Sequence, residues 1–371
     1  MNAMDSAPAL HGEAVYFYAC DVGYEMHRTP VSQLLGCPLI PMQIDSRKRA
    51  PRGQTFYRPL QAVLPEETRS FQGRSVTLHT TVKVLPVGAL SVTVRLAFAV
   101  DSVAALSPWH EPAFDNGDTL EAHCRSLVEK ARAELAASII RPHERQPEGE
   151  RYTVFCINAA SPGISPDASA WLQENRAAAA ALLTRETGSA RLSDQEIAES
   201  TSRRLSYYRH DLVVTDWDAA LIIDEPAAFA ETLYVMELAN VQLEELEAFD
   251  TCIDEALERA YRDLRAPRAA RRAGILSGLK ELRIDLSRFS DELSNITKFL
   301  GEWHLACVYE NTARVFHLAA WHRAIDEKLR TLDSLYEMIK QDQNHRIMLW
   351  LEAAIVLLFV IDIITLFFGT H

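Results

Sequence analysis

The 371-residue chain has only 14 glycines, and none falls in a GxxxxGK[ST] or GxGxxG pattern. GxSxG and HExxH are absent too, so the familiar nucleotide, hydrolase and zinc-protease signatures are missing. Basic residues are in deficit: 38 Lys and Arg stand against 51 Asp and Glu, a net charge of −13. Such a chain is repelled by phosphate, so no nucleic-acid partner is expected. The six cysteines, at 20, 37, 124, 156, 252 and 307, contain no CxxC pair, which predicts reduced thiols in a cytosol-like compartment. The first 17 residues have no basic region leading into an apolar one. They also carry no Arg, so no secretory or transit signal is expected there and targeting should reside at the other end.

That other end is long, apolar and free of Gly and Pro. Residues 347–368 read IMLWLEAAIVLLFVIDIITLFF. At about 1.5 Å per residue this helix covers roughly 33 Å, enough for a hydrocarbon core. Its fifteen Leu, Ile, Val and Phe residues favour insertion by about −5 to −9 kcal/mol. The acids Glu352 and Asp362 would oppose it by about +5 to +7 kcal/mol at the bilayer centre, but both lie off-centre. Insertion is therefore expected. Lys340, His345 and Arg346, with Trp350 at the interface, flank its beginning, and only Gly369-Thr370-His371 follow. The expectation is a single-pass tail anchor with a cytoplasmic N-terminal side, in a bacterial inner membrane. Glu352 and Asp362 have two readings: tolerated near-interface acids, or polar contacts that assemble neighbouring copies.

Upstream, apolar residues at Ile275, Leu279, Leu282, Leu286, Phe289, Leu293, Ile296, Leu300, Trp303 and Cys307 alternate steps of four and three. A second series includes Ile325, Leu329, Leu332, Tyr336 and Ile339, offset by a four-residue stutter that a helix absorbs or that bends it near 310–315. An earlier helix opens at Pro226 and runs to about Leu264, ending in an arginine-rich connector with Pro267 and Gly274. Residues 226–346 are thus expected to form a helical hairpin and coiled-coil stalk.

Residues 1–225 carry mixed signals. Ala14–Cys20 reads as a buried strand. Val76–Val84 and Leu90–Phe98 alternate about a Pro86–Ala89 turn, and Tyr152–Asn158 reads as a further strand. Asp118–Ile140 and Ser165–Leu183 read as helices, Ser193–Glu196 as a capping box, and Asp211–Asp224 as two apolar runs about Thr-Asp-Trp-Asp. The fold class expected is α+β with a largely antiparallel sheet.

Candidate chemistry is sparse. His210 and Asp211 form a lone His-Asp pair at a strand start, better suited to capping than catalysis. Asp216 and Asp218 flank a turn and could face a cation, although Asp is common in turns. His304 and Cys307 share a helix face, yet two ligands fall short of the four that zinc takes. No catalytic site, metal or cofactor is expected.

The stretch 325–368, with a heptad helix, a polar break at His345-Arg346 and a span bearing Glu352 and Asp362, resembles the required for meiotic nuclear division protein 1 family. YYRHDLVVTDWDAALIIDEP, residues 207–226, is similar to that family's strand segment. The resemblance implies a membrane-anchored, non-catalytic scaffold or tether. The functional expectation is an oligomeric scaffold with an unknown protein partner, assembled through stalk and span. Two alternatives are a divalent-cation channel component similar to CorA magnesium transporters, without their two spans and Gly-Met-Asn signature, and a tethered enzyme using His210 and Asp211.

Overall fold

The computed structural model describes residues 9–27, 31–42, 59–143, 148–186, 191–265 and 303–368. In chain order, β1 (Leu10–Asp21) and β2 (Gly23–Met26) precede three two-residue strands, β3 (Gln33–Leu34), β4 (Cys37–Pro38) and β5 (Ile40–Pro41). Then come β6 (Leu60–Val63), β7 (Glu67–Phe71), β8 (Arg74–Val84) and β9 (Ala89–Val100). A 3-10 turn, Val103–Trp109, leads to α1 (Leu120–Glu134), β10 (Ile139–Pro142) and β11 (Glu150–Asn158). Short helices α2 (Ala168–Glu174), α3 (Arg176–Leu183) and α4 (Asp194–Ser200) follow, then β12 (Arg204–Leu205), β13 (Leu212–Thr215) and β14 (Ala219–Asp224). The long helices are α5 (Phe229–Arg265), α6 (Trp303–Val315) and α7 (Leu318–Phe368).

Ten strands form one sheet in the order β12-β13-β14-β11-β1-β9-β8-β6-β5, with β7 also on β8. Among the described residues its pairings are antiparallel except β11 with β14. The α+β class and mostly antiparallel sheet thus follow the sequence reading. β1 occupies the middle and is covered on both faces, which explains its unbroken apolar run. Tyr16, Tyr18 and Cys20 join the main core with Val92, Val94, Phe155 and Leu221. Ala19 points the other way, packing with Ala89 and Val241 of α5. The β8–β9 hairpin turns at Gly88, whose φ of +100° and close approach to the Gly23 carbonyl leave no room for a side chain.

Two helices are shorter than their periodicity predicts. α1 stops at Glu134 because Ile139 and Ile140 pair with Met26 and Glu25 of β2 instead of continuing the helix. The Ser165–Leu183 stretch divides at Asn175, whose side chain donates to the Trp171 carbonyl at 3.0 Å. Ser193 does cap α4, accepting from the Glu196 amide at 3.2 Å.

The chain divides into two compact units, one of residues 1–248 and 288–321, the other of 249–287 and 322–371. The first holds the sheet and the beginning of α5. Val235–Leu246 is buried on every side, so this stretch is a core helix and not part of an exposed stalk. Tyr309 of α6 donates to Gln242, and Phe316 meets Tyr152 edge-on with ring centroids 4.9 Å apart. α6 ends at Val315, and His317, with φ +51°, accepts from the amides of Ala320 and Trp321 to begin α7. The break thus falls within the stutter between Cys307 and Ile325, just after the 310–315 stretch where a bend is one of the two expectations.

In the second unit, Lys328 of α7 contacts Asp250 and Asp254 of α5, each at 2.7 Å. Ile253, Ile325 and Leu332 are buried, while Leu329 is half-buried. A coiled coil does not emerge from these residues: the seam positions Leu282, Leu286, Phe289, Leu293, Ile296 and Leu300 lie outside the described residues. Ile347–Ile364 of α7 is long and apolar enough to cross a membrane, and none of it is buried against the protein.

Candidate functional site

A cavity of about 230 Å³ opens in the first unit beside the middle of the sheet. β1 supplies Tyr16 and Tyr18 to its wall, α1 supplies Leu120 and Cys124, and the 3-10 turn delivers His110. These positions follow from local structure. Alternation along β1 sends Tyr16 and Tyr18 to the same face, and Thr119 starts α1 by accepting from the Ala122 amide at 3.2 Å. His110 follows Trp109 at the end of its turn, and its ring meets Phe155 edge-on at 4.8 Å.

The chemistry of this wall is set by burial. His110 is only 9% exposed, and its Nε2 bonds the Leu182 carbonyl. A carbonyl can only accept, so Nε2 carries the proton and Nδ1 is left as an acceptor. That Nδ1 has no hydrogen-bond partner among the described residues. Burial pushes the imidazole down to about 4, against the raising effect of the Leu182 contact, so the ring is neutral near pH 7. Burial likewise pushes the Cys124 thiol up to about 12, leaving it inert as a nucleophile. Tyr16 is also pushed upward by burial, and its hydroxyl donates to the Trp109 carbonyl.

The mouth is charged. Arg151 contacts Glu121 at 2.5 Å and Glu111 at 3.7 Å, while Arg185 pairs with Glu111. Arg185 has φ +56° just beyond α3, the left-handed conformation common after a helix end. Asp218, in the β13–β14 turn, completes the lining. Burial raises its carboxyl and the charge of Arg185 opposes that rise.

Of the residues singled out from sequence, Asp218 alone reaches this cavity. Asp216 holds the turn: its amide bonds Ala219, and its carbonyl accepts from the Tyr152 hydroxyl at 2.9 Å. Burial raises its carboxyl as well. Asp211 is buried and accepts from the amides of Tyr207 and Tyr208 at 2.6 and 2.9 Å, a capping geometry. His210 is exposed and stacks on Tyr208 at 5.4 Å. His304 meets Tyr207 edge-on at 5.7 Å, and Cys307 is half-buried. Among the described residues no group of three or more metal-ligating side chains converges. On α7, Glu352 and Asp362 are exposed and Trp350 is 79% exposed. The side chains of Lys340 and Arg346 lie outside the described residues.

Two buried polar clusters escaped the sequence reading. Lys83 of β8 pairs with Glu237 of α5, which also accepts from Ser91 at 2.6 Å and Thr93 at 3.0 Å. At the end of β1, Asp21 contacts His143 at 3.1 Å and its amide donates to Glu244 at 3.1 Å. Burial pushes Glu244 up to about 8, the Asp21 amide working against the rise. Glu150 is pushed to about 7, by burial first and then by the charge of Glu247. Polar residues on alternate positions of adjoining strands (Lys83, Ser91, Thr93) were the available signal for the first cluster. His110, Arg151 and Arg185 carried no local signal, because only the fold brings them together.

Comparison with known proteins sets this geometry in a family. Residues 11–230, more than half of the chain and all of the cavity wall, match the family described as "Uncharacterized protein MJ0711, N-terminal domain". Uncharacterized protein MJ0711 of Methanocaldococcus jannaschii is 26% identical over 232 residues, covering 62% of this chain and 69% of that protein. No solved structure matches. The match corrects the expectation drawn from residues 207–226 and 325–368, since nothing in the comparisons points to the required for meiotic nuclear division protein 1 family. Apolar spans and heptads recur in unrelated proteins because lipid and helix packing impose them. The chain belongs to the family defined by the N-terminal domain of MJ0711.

Proposed function

We propose that the protein is a membrane-anchored scaffold whose α+β head is held at a bilayer by α7. The observation that carries this reading is the solvent requirement of Ile347–Ile364. Eighteen consecutive residues are apolar apart from Glu352 and Asp362, and none is buried against the chain. Exposed to water, such a surface drives aggregation; in lipid it is satisfied, because a helix meets its own backbone hydrogen bonds. The head faces the cytoplasm on this reading, in keeping with the flanking Lys340 and Arg346. The heptad positions upstream form a coiled-coil stalk between copies, and Glu352 and Asp362 add polar contacts between neighbouring spans.

The test is membrane fractionation with an alkaline carbonate wash, comparing the full chain with one lacking residues 347–371. The full chain is expected in the washed pellet and the shortened chain in the supernatant. Release of the full chain by carbonate would end the anchor reading. Crosslinking in membranes addresses assembly separately. Glu352→Leu with Asp362→Leu should weaken the oligomer, and unchanged crosslinks would remove the acids from it.

A further inference from the structure

We infer that the break between α6 and α7 is a latch, closed by Trp217, whose release lets the two helices join into one. The sequence does not encode this break locally. Residues 303–346 contain neither Gly nor Pro, and a stutter of four residues is one that a continuous helix absorbs. Yet α6 ends at Val315 and α7 starts at Leu318, so only Phe316 and His317 separate them. Phe316 keeps helical pairing, its amide donating to the Thr312 carbonyl at 2.9 Å. The chain leaves the helix at His317, whose φ is +51°. That left-handed conformation crowds Cβ against the following carbonyl, and at a helix end it is ordinarily supplied by Gly. A His there stores strain that one helix through 315–318 would not carry.

What holds the strained form comes from the sheet. Trp217, in the β13–β14 turn, lies against the His317 ring at 5.8 Å and meets Phe316 edge-on at 6.2 Å. Tyr152 of β11 also meets Phe316 edge-on, and its hydroxyl donates to the Asp216 carbonyl, which fixes the same turn. Phe316 and Leu318 are buried, whereas His317 is exposed.

The two aromatic contacts differ in what they hold. Phe316 is 1% exposed and secures the end of α6 in either form, because its own backbone pairing is already helical. Trp217 is 46% exposed, and its contact is the one that His317 gives up on turning helical. Trp217 is reached from solvent without unpacking the core, so the latch opens there. In the open form the apolar series ending at Cys307 and the one starting at Ile325 run along a single helix. This device stands whether or not α7 enters a bilayer.

The experiment is pulsed EPR on the full chain in non-ionic detergent micelles. Spin labels are carried on p-acetylphenylalanine at exposed positions, which leaves the native cysteines untouched. Glu310 with Ala324 spans the break, and Ala324 with Met338 repeats the same 14-residue spacing inside α7, about 21 Å along a straight helix. In the natural chain the first pair should give a distance different from that of the reference pair. Trp217→Ala should bring most of the first pair to the reference distance, and Trp217→Phe, which keeps a ring, should preserve the break. His317→Ala, which favours the helix over the left-handed form, should shift the population as Trp217→Ala does. A first-pair distance unchanged by Trp217→Ala would overturn the inference. So would a broad distribution without a peak at the reference, because the helices would then part instead of joining. Should Trp217→Ala fail to fold, His317→Ala decides in its place, since it alters only an exposed side chain outside the sheet.

Discussion

Two helical stretches of this protein reverse each other's relation to solvent. Val235–Leu246 of α5 is buried on every side yet carries Glu237, Asn240, Gln242, Glu244 and Glu245. Ile347–Ile364 of α7 is almost wholly apolar yet touches nothing that buries it. Backbone geometry is the same in both, so the difference lies in what satisfies the side chains. In α5 the protein does so: Glu237 has Lys83, Ser91 and Thr93, Glu244 has the Asp21 amide, and Gln242 has Tyr309. In α7 the matching solvent must come from outside the chain. Polarity alone therefore does not fix burial, since polar residues do not ensure exposure and apolar residues do not ensure a core.

The comparison breaks most visibly if the outer solvent of α7 is denied. Val356→Arg together with Val360→Arg places two charges near the middle of the span, at about 5–7 kcal/mol on the insertion scale. That is comparable to the whole gain expected from its apolar residues, so the double variant should leave the carbonate-washed membrane pellet. Full retention would mean that another part of the chain holds the membrane.

The matching perturbation in α5 removes one partner of a buried charge. Glu237→Leu leaves Lys83 buried without its carboxylate, and a loss of about 3–5 kcal/mol is expected in denaturant melts. Adding Lys83→Met should recover at least half of it, because two apolar groups need no partner. A double variant as unstable as the single one would show that the site depends on the ion pair itself.

How much of this was legible beforehand differs between the two stretches. The long apolar helix could be read from residues 347–368 alone, because its signal lies in consecutive residues. The antiparallel hairpin at β8–β9 was equally plain, since alternation and a Gly-containing turn are local. Val235–Leu246 was read as part of a stalk because its apolar spacing is genuine. What buries its polar side lies on β8 and β9, some 150 residues earlier. The cavity failed to appear for the same reason. Asp218 was noticed for its turn, but His110, Arg151 and Arg185 meet it only through strand order. The lone His210-Asp211 pair looked more suggestive in sequence than the cavity residues did, and the structure places Asp211 against two backbone amides.

A smaller effect sharpens the comparison through pH. Glu244 in the fold is raised to about 8 and Glu150 to about 7, against ordinary values near 4.5. The folded chain therefore binds more protons than the unfolded chain between those limits, and stability falls as pH rises from about 4.5 through about 8. His110 works in the opposite sense: lowered from 6.5 to about 4, it lets stability fall as pH drops through that range. Its contribution is complete above about pH 6.5, so the loss from there to pH 8 reports on the glutamates. Glu244→Gln keeps an acceptor for the Asp21 amide but cannot ionise. It should flatten thermal-melt midpoints over that interval and gain about 1–2 kcal/mol at pH 8.5. An unchanged slope would show that burial of Glu244 is relieved by solvent.

The smallest effect is expected where neither logic applies. Lys328 reaches Asp250 and Asp254 at 2.7 Å, but its side chain is 30% exposed and that of Asp254 55%. Water already serves these groups, so the ion pairs resemble surface pairs worth about 0–1 kcal/mol. Lys328→Met should cost no more than about 1 kcal/mol, and added salt should narrow the gap between variant and natural chain. A loss as large as that of Glu237→Leu, insensitive to salt, would mean that Lys328 is as dependent on its partners as Lys83. The second unit would then follow the rule of the buried helix, in which each charge needs a specific protein partner.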